Sequence, residues 1–147
     1  MYPSYFASEN PNRAAFVMAG TGEQVSYREY EARCNQLAHV LKDEGLEFQD
    51  HYSIFMENNN RYLECCGAGE RSGLYYTCIN SYLKEDELAY ILNNSESKIL
   101  ITSAEKLPIA EEAIKICPKI QKCLVINARG NGQRIVNFEE TLQAFPT

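Results

Sequence analysis

The chain has 147 residues, of which 45% are apolar and 11% are aromatic. This length and composition supply enough apolar side chains for one packed domain, which argues against disorder. Fourteen Lys and Arg residues against twenty Asp and Glu residues give a formal net charge of −6. That balance disfavours nucleic acid as a partner, because phosphate binding requires clustered cationic side chains.

The sequence also bears on where the protein is found. It has no run of about 18 apolar residues, so we expect no transmembrane segment. Residues 1–6 lack the basic and apolar segments of a signal peptide. We therefore expect a cytoplasmic protein, with residues 1–147 forming a single domain.

The six cysteines lie in apolar periodic segments, and the sequence contains no C-x-x-C spacing. Small disulfide scaffolds are secreted and rich in loops, and zinc sites use closely spaced ligands. We therefore expect buried free thiols, with a disulfide or a metal or redox role as the alternatives. The cysteines are Cys34, Cys65, Cys66, Cys78, Cys117 and Cys123.

The predicted elements begin with a short helix that ends near Ser8 and has Tyr2, Tyr5 and Phe6 as its apolar contacts. Residues 14–18 form a predicted strand, and residues 24–25 a returning strand. The loop between them contains two glycines, which adopt positive φ readily. This part of the sequence predicts a small N-terminal β-hairpin.

A capping box marks the start of the next helix. Ser26 and Glu29 have the spacing at which the hydroxyl and the carboxylate each accept a backbone N–H bond. Apolar residues then recur at helical spacing, and Gly45 supplies a left-handed stop. The pattern predicts a helix over residues 27–44 with one buried face.

From residue 51 onward, predicted strands alternate with predicted helices. Short apolar runs of this kind are typical of strands covered on both sides, and the alternation indicates right-handed crossovers. The sequence therefore predicts an α/β fold with a mainly parallel sheet flanked by helices. The strands are 52–56, 74–79, 98–102 and 123–126, with a short edge strand at 135–136. The helices are 62–71, 85–92 and 138–144. One further helix has Pro108 in its first turn, and its apolar residues recur at helical spacing, namely Leu107, Ala110, Ile114 and Cys117.

Motifs of a self-contained enzyme are missing from the sequence. It contains no Walker A loop, no G-x-G-x-x-G after a strand, no G-x-S-x-G elbow and no H-E-x-x-H. Acidic clusters such as 85–87 are explained by the helix dipole and by solvent exposure. The residues therefore predict no catalytic residue, no cofactor-binding residue and no metal ligand within this chain.

The order of segments resembles the adenylate-forming (AMP-binding) superfamily, which includes acyl-CoA synthetases, luciferases and peptide-synthetase adenylation domains. Residues 25–30 and 35–38, followed by Gly45, resemble its first core motif, and residues 71–80 resemble its second. The pattern is most similar to fatty acyl-CoA ligases, over about residues 10–126. The sequence departs from the family at Gln49, Cys78 and Lys84, where Gly, Pro and Thr are usual.

The resemblance implies that this chain is the N-terminal subdomain of the acyl-CoA synthetase fold, and a fragment of a larger AMP-binding ligase. The parent would use ATP and Mg²⁺ to convert a fatty acid to acyl-AMP and would then transfer the acyl group to CoA. The family's phosphate loop and catalytic lysine would lie beyond residue 147. The fragment would then bind no cofactor and be inactive alone, with the rest of its parent chain as its partner.

The resemblance also implies where the chain would approach substrate. In such ligases the helix and strand around the second core motif pack beneath the acyl pocket. The candidates for that pocket wall are Gly67, Gly69, Gly73 and Tyr75. The alternative is that these residues serve helix–sheet packing.

A second hypothesis is a stand-alone α/β interaction or oligomerisation module without an enzymatic parent. A stop directly after residue 147 would favour this module, whereas a Ser/Thr/Gly-rich loop ending in Lys would favour the ligase. A piece of a larger sheet leaves a strand edge and apolar surface uncovered. We therefore expect the isolated chain to self-associate.

Overall fold

The computed structural model describes residues 3–147. A five-stranded sheet with helices on both faces forms most of the structure, and a two-stranded hairpin precedes it. In chain order the elements are α1 (Pro3–Glu9), β1 (Ala14–Val17), β2 (Gln24–Ser26), α2 (Tyr27–Asp43), β3 (His51–Phe55), α3 (Tyr62–Ser72), β4 (Tyr75–Ile79), α4 (Glu85–Asn94), β5 (Ile99–Ser103), α5 (Leu107–Ile114), β6 (Lys122–Ile126), β7 (Ile135–Asn137) and α6 (Phe138–Gln143).

The large sheet has the strand order β4-β3-β5-β6-β7, and every neighbouring pair in it is parallel. Phe55 at the end of β3 lies opposite Ile79 of β4 on one side and Thr102 of β5 on the other. Strands β1 and β2 pair antiparallel. The predicted parallel α/β sheet and the predicted N-terminal hairpin are therefore both confirmed.

Two apolar cores lie on the two faces of the sheet. Successive residues of a strand point to opposite faces, so Ile54 joins one core and Phe55 joins the other. The first core packs against α2, α3 and α6, and the second against α4 and α5. Burial on both faces explains why these strands are continuous apolar runs rather than alternating patterns.

Helix α2 begins with the predicted capping box. The Glu29 N–H donates to Ser26 Oγ at 3.3 Å, and the Ser26 N–H donates to Glu29 Oε2 at 2.9 Å. The Ser26 N–H and the Ser26 hydroxyl both donate to Glu29 Oε2, and these two bonds lower the pKa of the Glu29 carboxyl. The helix ends at Asp43, and Gly45 has a φ of 81°, which glycine adopts without strain.

Helix α1 lies against α2 through an aromatic contact. The Phe6 ring stacks on Tyr27 with the ring centroids 5.0 Å apart. Tyr5 is 54% exposed, so Phe6 rather than Tyr5 holds this helix. The predicted contact of Tyr2 lies outside the described residues. Within residues 3–147, every helix is too short or too polar to cross a bilayer.

Strand β4 corrects one prediction. The sequence predicts a buried strand at 74–79, but β4 is an edge strand in which Tyr75 and Cys78 are exposed. The reason is the strand order, because β4 has β3 as its neighbour on one side and, among residues 3–147, no strand on the other.

The prediction of six buried thiols is therefore wrong for Cys78 and holds only partly for Cys66, which is half-buried. All six cysteines are free thiols. The other four are buried, namely Cys34, Cys65, Cys117 and Cys123. Helix α5 also ends earlier than predicted, at Ile114, although Cys117 remains 1% exposed in the turn that follows.

Gln49 occupies a backbone conformation that favours glycine, the residue that the resemblance leads us to expect there. Its φ is 70°, in the left-handed region that costs most L-residues about 1–2 kcal/mol. The Gln49 N–H donates to the Gly73 carbonyl at 2.8 Å, which connects the turn before β3 to the end of α3. The turn therefore forms with a glutamine at this position.

Candidate functional site

Helix α3 approaches its neighbours closely at the predicted glycines. Gly67 faces α2, and a Cβ atom there would lie 2.7 Å from the Cys34 Sγ and 2.8 Å from the Tyr30 hydroxyl oxygen. Real Cβ contacts this short are essentially never observed. Glycine at this position therefore sets the distance between α2 and α3.

Gly69 lies on the other side of α3 and faces the sheet. A Cβ atom there would lie 2.9 Å from the Tyr76 Cδ1 and 3.0 Å from the Tyr52 Cε1. Tyr52 is fully buried, and its hydroxyl donates a hydrogen bond to the Cys65 carbonyl. Burial raises the pKa of Tyr52, so the phenol stays protonated and acts as a hydrogen-bond donor. Gly69 thus allows α3 to lie against two tyrosines.

Gly73 and Tyr75 lie where α3 passes into β4. Gly73 has a φ of 67°, and the Phe48 Cδ2 lies 2.6 Å from the position of a Cβ atom on it. Tyr75 opens β4, is 53% exposed, and has its ring centroid 5.0 Å from that of His51. The structure therefore places all four predicted residues along α3 and its carboxyl end, but each contacts a different neighbour.

Polar residues also gather at the carboxyl edge of the sheet, between β3 and β5. Helix α3 follows β3 and packs in one core, whereas α5 follows β5 and packs in the other. The order in which the chain adds strands thus reverses at this point, because β4 lies on one side of β3 and β5 on the other. Ligands bind at such a point in open α/β sheets. Ser103 at the end of β5 donates to Glu57 Oε2 at 2.5 Å, and Thr102 donates to the Phe55 carbonyl at 2.7 Å.

Lys106 adds a cation near this edge. Its Nζ lies 2.8 Å from Glu105 Oε1 and 5.7 Å from the centroid of the Tyr82 ring. Glu57, Ser103 and Lys106 are not among the residues predicted from the sequence. Glu57 and Ser103 directly follow predicted strands, which was the available signal, whereas Lys106 lies in the loop before α5. Lys106 is thus paired with Glu105, whereas the Glu57 carboxylate accepts a hydrogen bond from the Ser103 hydroxyl.

A buried carboxylate lies between two arginines under the same edge. Glu64 is 1% exposed, with Arg61 Nη2 at 2.9 Å and Arg33 Nη1 at 3.8 Å. Burial raises the pKa of Glu64 to about 7, although both arginines oppose that rise and Glu139 adds to it. The Arg61 guanidinium also lies 5.1 Å over the Phe138 ring. No local pattern in the sequence pointed to this cluster.

A cleft of about 890 Å³ lies at the opposite end of the sheet, beside the turn that precedes β3. Its lining includes His39, Lys42 and Phe48, together with Glu31 and Arg71. Arg71 donates to both carboxylate oxygens of Glu31 at 2.9 Å, and also to the Asn35 side chain. The guanidinium of Arg71 is therefore paired with a carboxylate of α2.

The sequence matches the profile of the AMP-binding enzyme family over residues 4–144. The chain belongs to the AMP-binding enzyme family. It is 31% identical over 105 residues to the medium-chain-fatty-acid–CoA ligase of Ectopseudomonas oleovorans, covering 71% of this chain and 19% of that protein. It is 26% identical over 139 residues to the acetyl-coenzyme A synthetase of Coprinopsis cinerea, covering 86% of this chain and 21% of that protein. The chain thus spans about a fifth of these relatives' length.

Solved structures agree with the fold of the family. The coronafacic acid ligase of Pectobacterium brasiliense superposes with a TM-score of 0.89 at 19% identity, covering 98% of this chain and 29% of the ligase. At that identity the likeness shows the fold alone. The whole described sheet, with its helices, is therefore a recurring part of larger ligase structures.

Family membership implies ATP and Mg²⁺, which require anionic metal ligands and free cations for the phosphates. Residues 3–147 contain no group of three or more His, Cys, Asp or Glu side chains that could hold a metal ion. Arg33, Arg61 and Arg71, which could contact phosphates, each face a carboxylate within 4 Å. These residues do not fit a nucleotide site, and no step of nucleotide chemistry is assigned to them.

Proposed function

We propose that this chain is the N-terminal part of a fatty acyl-CoA ligase. The longer protein converts a fatty acid and ATP to acyl-AMP with Mg²⁺ and transfers the acyl group to CoA. The family match over residues 4–144 carries this proposal, together with a relative at 31% identity that is a fatty-acid–CoA ligase. The coverage of about a fifth of each relative supports a longer parent chain.

Within that parent, this chain acts as scaffold and does not catalyse adenylation by itself. Arg33, Arg61 and Arg71 are paired with carboxylates, and most of its buried apolar residues form two cores on the faces of the sheet. The partners of the chain are the remainder of the ligase and, through it, the fatty acid and CoA. We place this ligase in the cytoplasm.

Acyl-CoA formation by the longer gene product tests the proposal. The protein is incubated with ATP, Mg²⁺, CoA and either acetate, octanoate or palmitate, and the thioester is measured by mass spectrometry. We expect acyl-CoA with at least one of the two fatty acids and a lower rate with acetate. A product that ends at residue 147, or one that forms no thioester with any fatty acid, would support the stand-alone interaction module instead.

We also propose that Gly67, Gly69, Gly73 and Tyr75 contribute to the wall beneath the acyl pocket. The support is the close packing at the three glycines, since any side chain there displaces α2, the sheet or the turn before β3. Gly69→Ala in the longer ligase should raise KM for the longest accepted acid more than for a short one. Gly20→Ala is the matched control, because nothing lies within 4 Å of its Cβ position. An equal change in KM for both acids would contradict the pocket role and leave helix–sheet packing.

The isolated 147-residue chain should self-associate. Strand β4 pairs on one side only and exposes Tyr75 beside its free backbone groups, and such an edge pairs readily with another chain. Sedimentation at micromolar concentration should show dimers or larger species. Lysine is a residue that protects the edges of natural sheets. Tyr75→Lys should therefore shift the distribution towards monomer. A monodisperse monomer for the unaltered chain would refute this.

A further inference from the structure

Two of the six thiols face each other across the contact between α3 and β4. The Cys66 and Cys78 sulfur atoms are 4.0 Å apart, although the residues are 12 positions apart in the chain. Side chains alternate along β4, so Tyr76 and Cys78 point to the same face. That face meets α3, because the Tyr76 hydroxyl donates to Glu70 of α3 at 3.0 Å. Gly69, beside this contact, lets the helix lie close to the strand.

This pair differs from the other cysteines in its access to solvent. Cys78 is exposed and Cys66 is half-buried, whereas the remaining four thiols are buried. Cys65 and Cys117 donate to the carbonyls of Arg61 and Ala89. A dissolved oxidant can therefore reach Cys78 directly, and the mixed disulfide formed there has Cys66 as its nearest thiol.

We propose that Cys66 and Cys78 form a reversible disulfide when the chain meets a low-molecular-weight disulfide such as oxidised glutathione. The Cys78 thiolate attacks one sulfur of oxidised glutathione, forming a mixed disulfide and releasing one glutathione thiolate, which takes up a proton. Cys66 then loses its proton and attacks the Cys78 sulfur, and the second glutathione leaves as a thiol. Two protein thiols are oxidised, and one glutathione disulfide is reduced to two thiols.

The positions of the two residues suit this order of steps. Burial and the neighbouring Cys78 raise the pKa of Cys66 to about 12, so Cys66 is a thiol at neutral pH and the exposed partner reacts first. A disulfide has a sulfur–sulfur distance of about 2.05 Å, so the two sulfurs must approach by about 2 Å. Strand β4 is at the sheet edge, so fewer strand hydrogen bonds oppose this approach than in a central strand.

The test uses the folded 147-residue chain incubated with oxidised glutathione and analysed by intact mass and by peptide mapping. We expect loss of two hydrogens, a cross-linked peptide joining Cys66 to Cys78, and full reversal by dithiothreitol. Cys66→Ser should instead retain one glutathione on Cys78, because the second thiol is missing. Cys78→Ser should stay unmodified under the same conditions.

Cys117→Ser is the matched control and should form the same disulfide as the unaltered chain, because Cys117 is buried away from the pair. The proposal is wrong if the unaltered chain keeps glutathione on Cys78 without forming the cross-link. It is equally wrong if both cysteines remain reduced while the urea-unfolded chain is oxidised by the same reagent.

Discussion

Replacing Glu64 should change how the stability of the chain depends on pH. Glu64 is 1% exposed, and its folded-state pKa of about 7 lies above the ordinary value of 4.5. Between these two values the folded chain holds a proton that the unfolded chain has released. Folding therefore binds a proton in this window, and the free energy of unfolding falls as the pH rises from 4.5 to about 7.

The size of this fall follows from the difference between the two pKa values. A difference of one in pKa corresponds to about 1.36 kcal/mol, so the rise from 4.5 to about 7 corresponds to about 3 kcal/mol. Glutamine has nearly the shape of the protonated acid and does not titrate. Glu64→Gln should therefore match the unaltered chain near pH 4.5 and exceed its stability by up to about 3 kcal/mol above pH 7.

Urea denaturation across this pH range measures the effect. The quantity of interest is the difference between the two proteins, because every other titrating group is common to both and cancels. Glu112→Gln is the control, since the Glu112 side chain is 59% exposed and pairs only with Lys115 at the surface. Its stability should run parallel to that of the unaltered chain. Parallel curves for Glu64→Gln as well would show that the two arginines fully compensate for burial and would refute the reasoning.

Three further substitutions test packing and backbone conformation by urea denaturation. Gly69→Ala should lower the free energy of unfolding by about 1–2 kcal/mol, because overpacking against Tyr52 exceeds the gain in helix propensity. Gly20→Ala is the control and should change it by less than about 0.5 kcal/mol. Equal effects of the two substitutions would contradict the close approach at Gly69. Gln49→Gly should stabilise the chain by about 0.5–1 kcal/mol by relieving the positive φ, and a loss of stability would contradict it. Arg71→Lys should lower the free energy of unfolding by about 1 kcal/mol, because lysine lacks the planar fork that bonds both oxygens of Glu31 at once. An unchanged free energy of unfolding would contradict this.

The fold was predictable because its signals are local. Parallel strands buried on both faces become apolar runs, and the Ser26 and Glu29 capping box fixes the start of α2 within a few residues. The resemblance marked Gln49 as a position where the family usually has glycine, and the backbone there has a positive φ. These features depend on neighbours in the chain, and the sequence contains them directly.

The features that were not predictable depend on distant residues. Strand order decides that β4 lies at an edge, and therefore that Cys78 is exposed although its segment is apolar. Glu64 looks like a surface residue of a helix, and the arginine of α2 beside it is far away in sequence. The four candidate pocket residues could be placed on α3 and β4 from the resemblance, but their separate contacts could not.

The most direct test of the proposed role is acid-dependent exchange between ATP and labelled pyrophosphate, which measures formation of the acyl-adenylate. The 147-residue chain and the longer gene product are assayed side by side with octanoate and Mg²⁺. The account predicts exchange in the longer protein that depends on the acid, and none above background in the 147-residue chain. Exchange catalysed by the 147-residue chain alone would contradict it, because a complete adenylation site would then lie among residues that do not fit one.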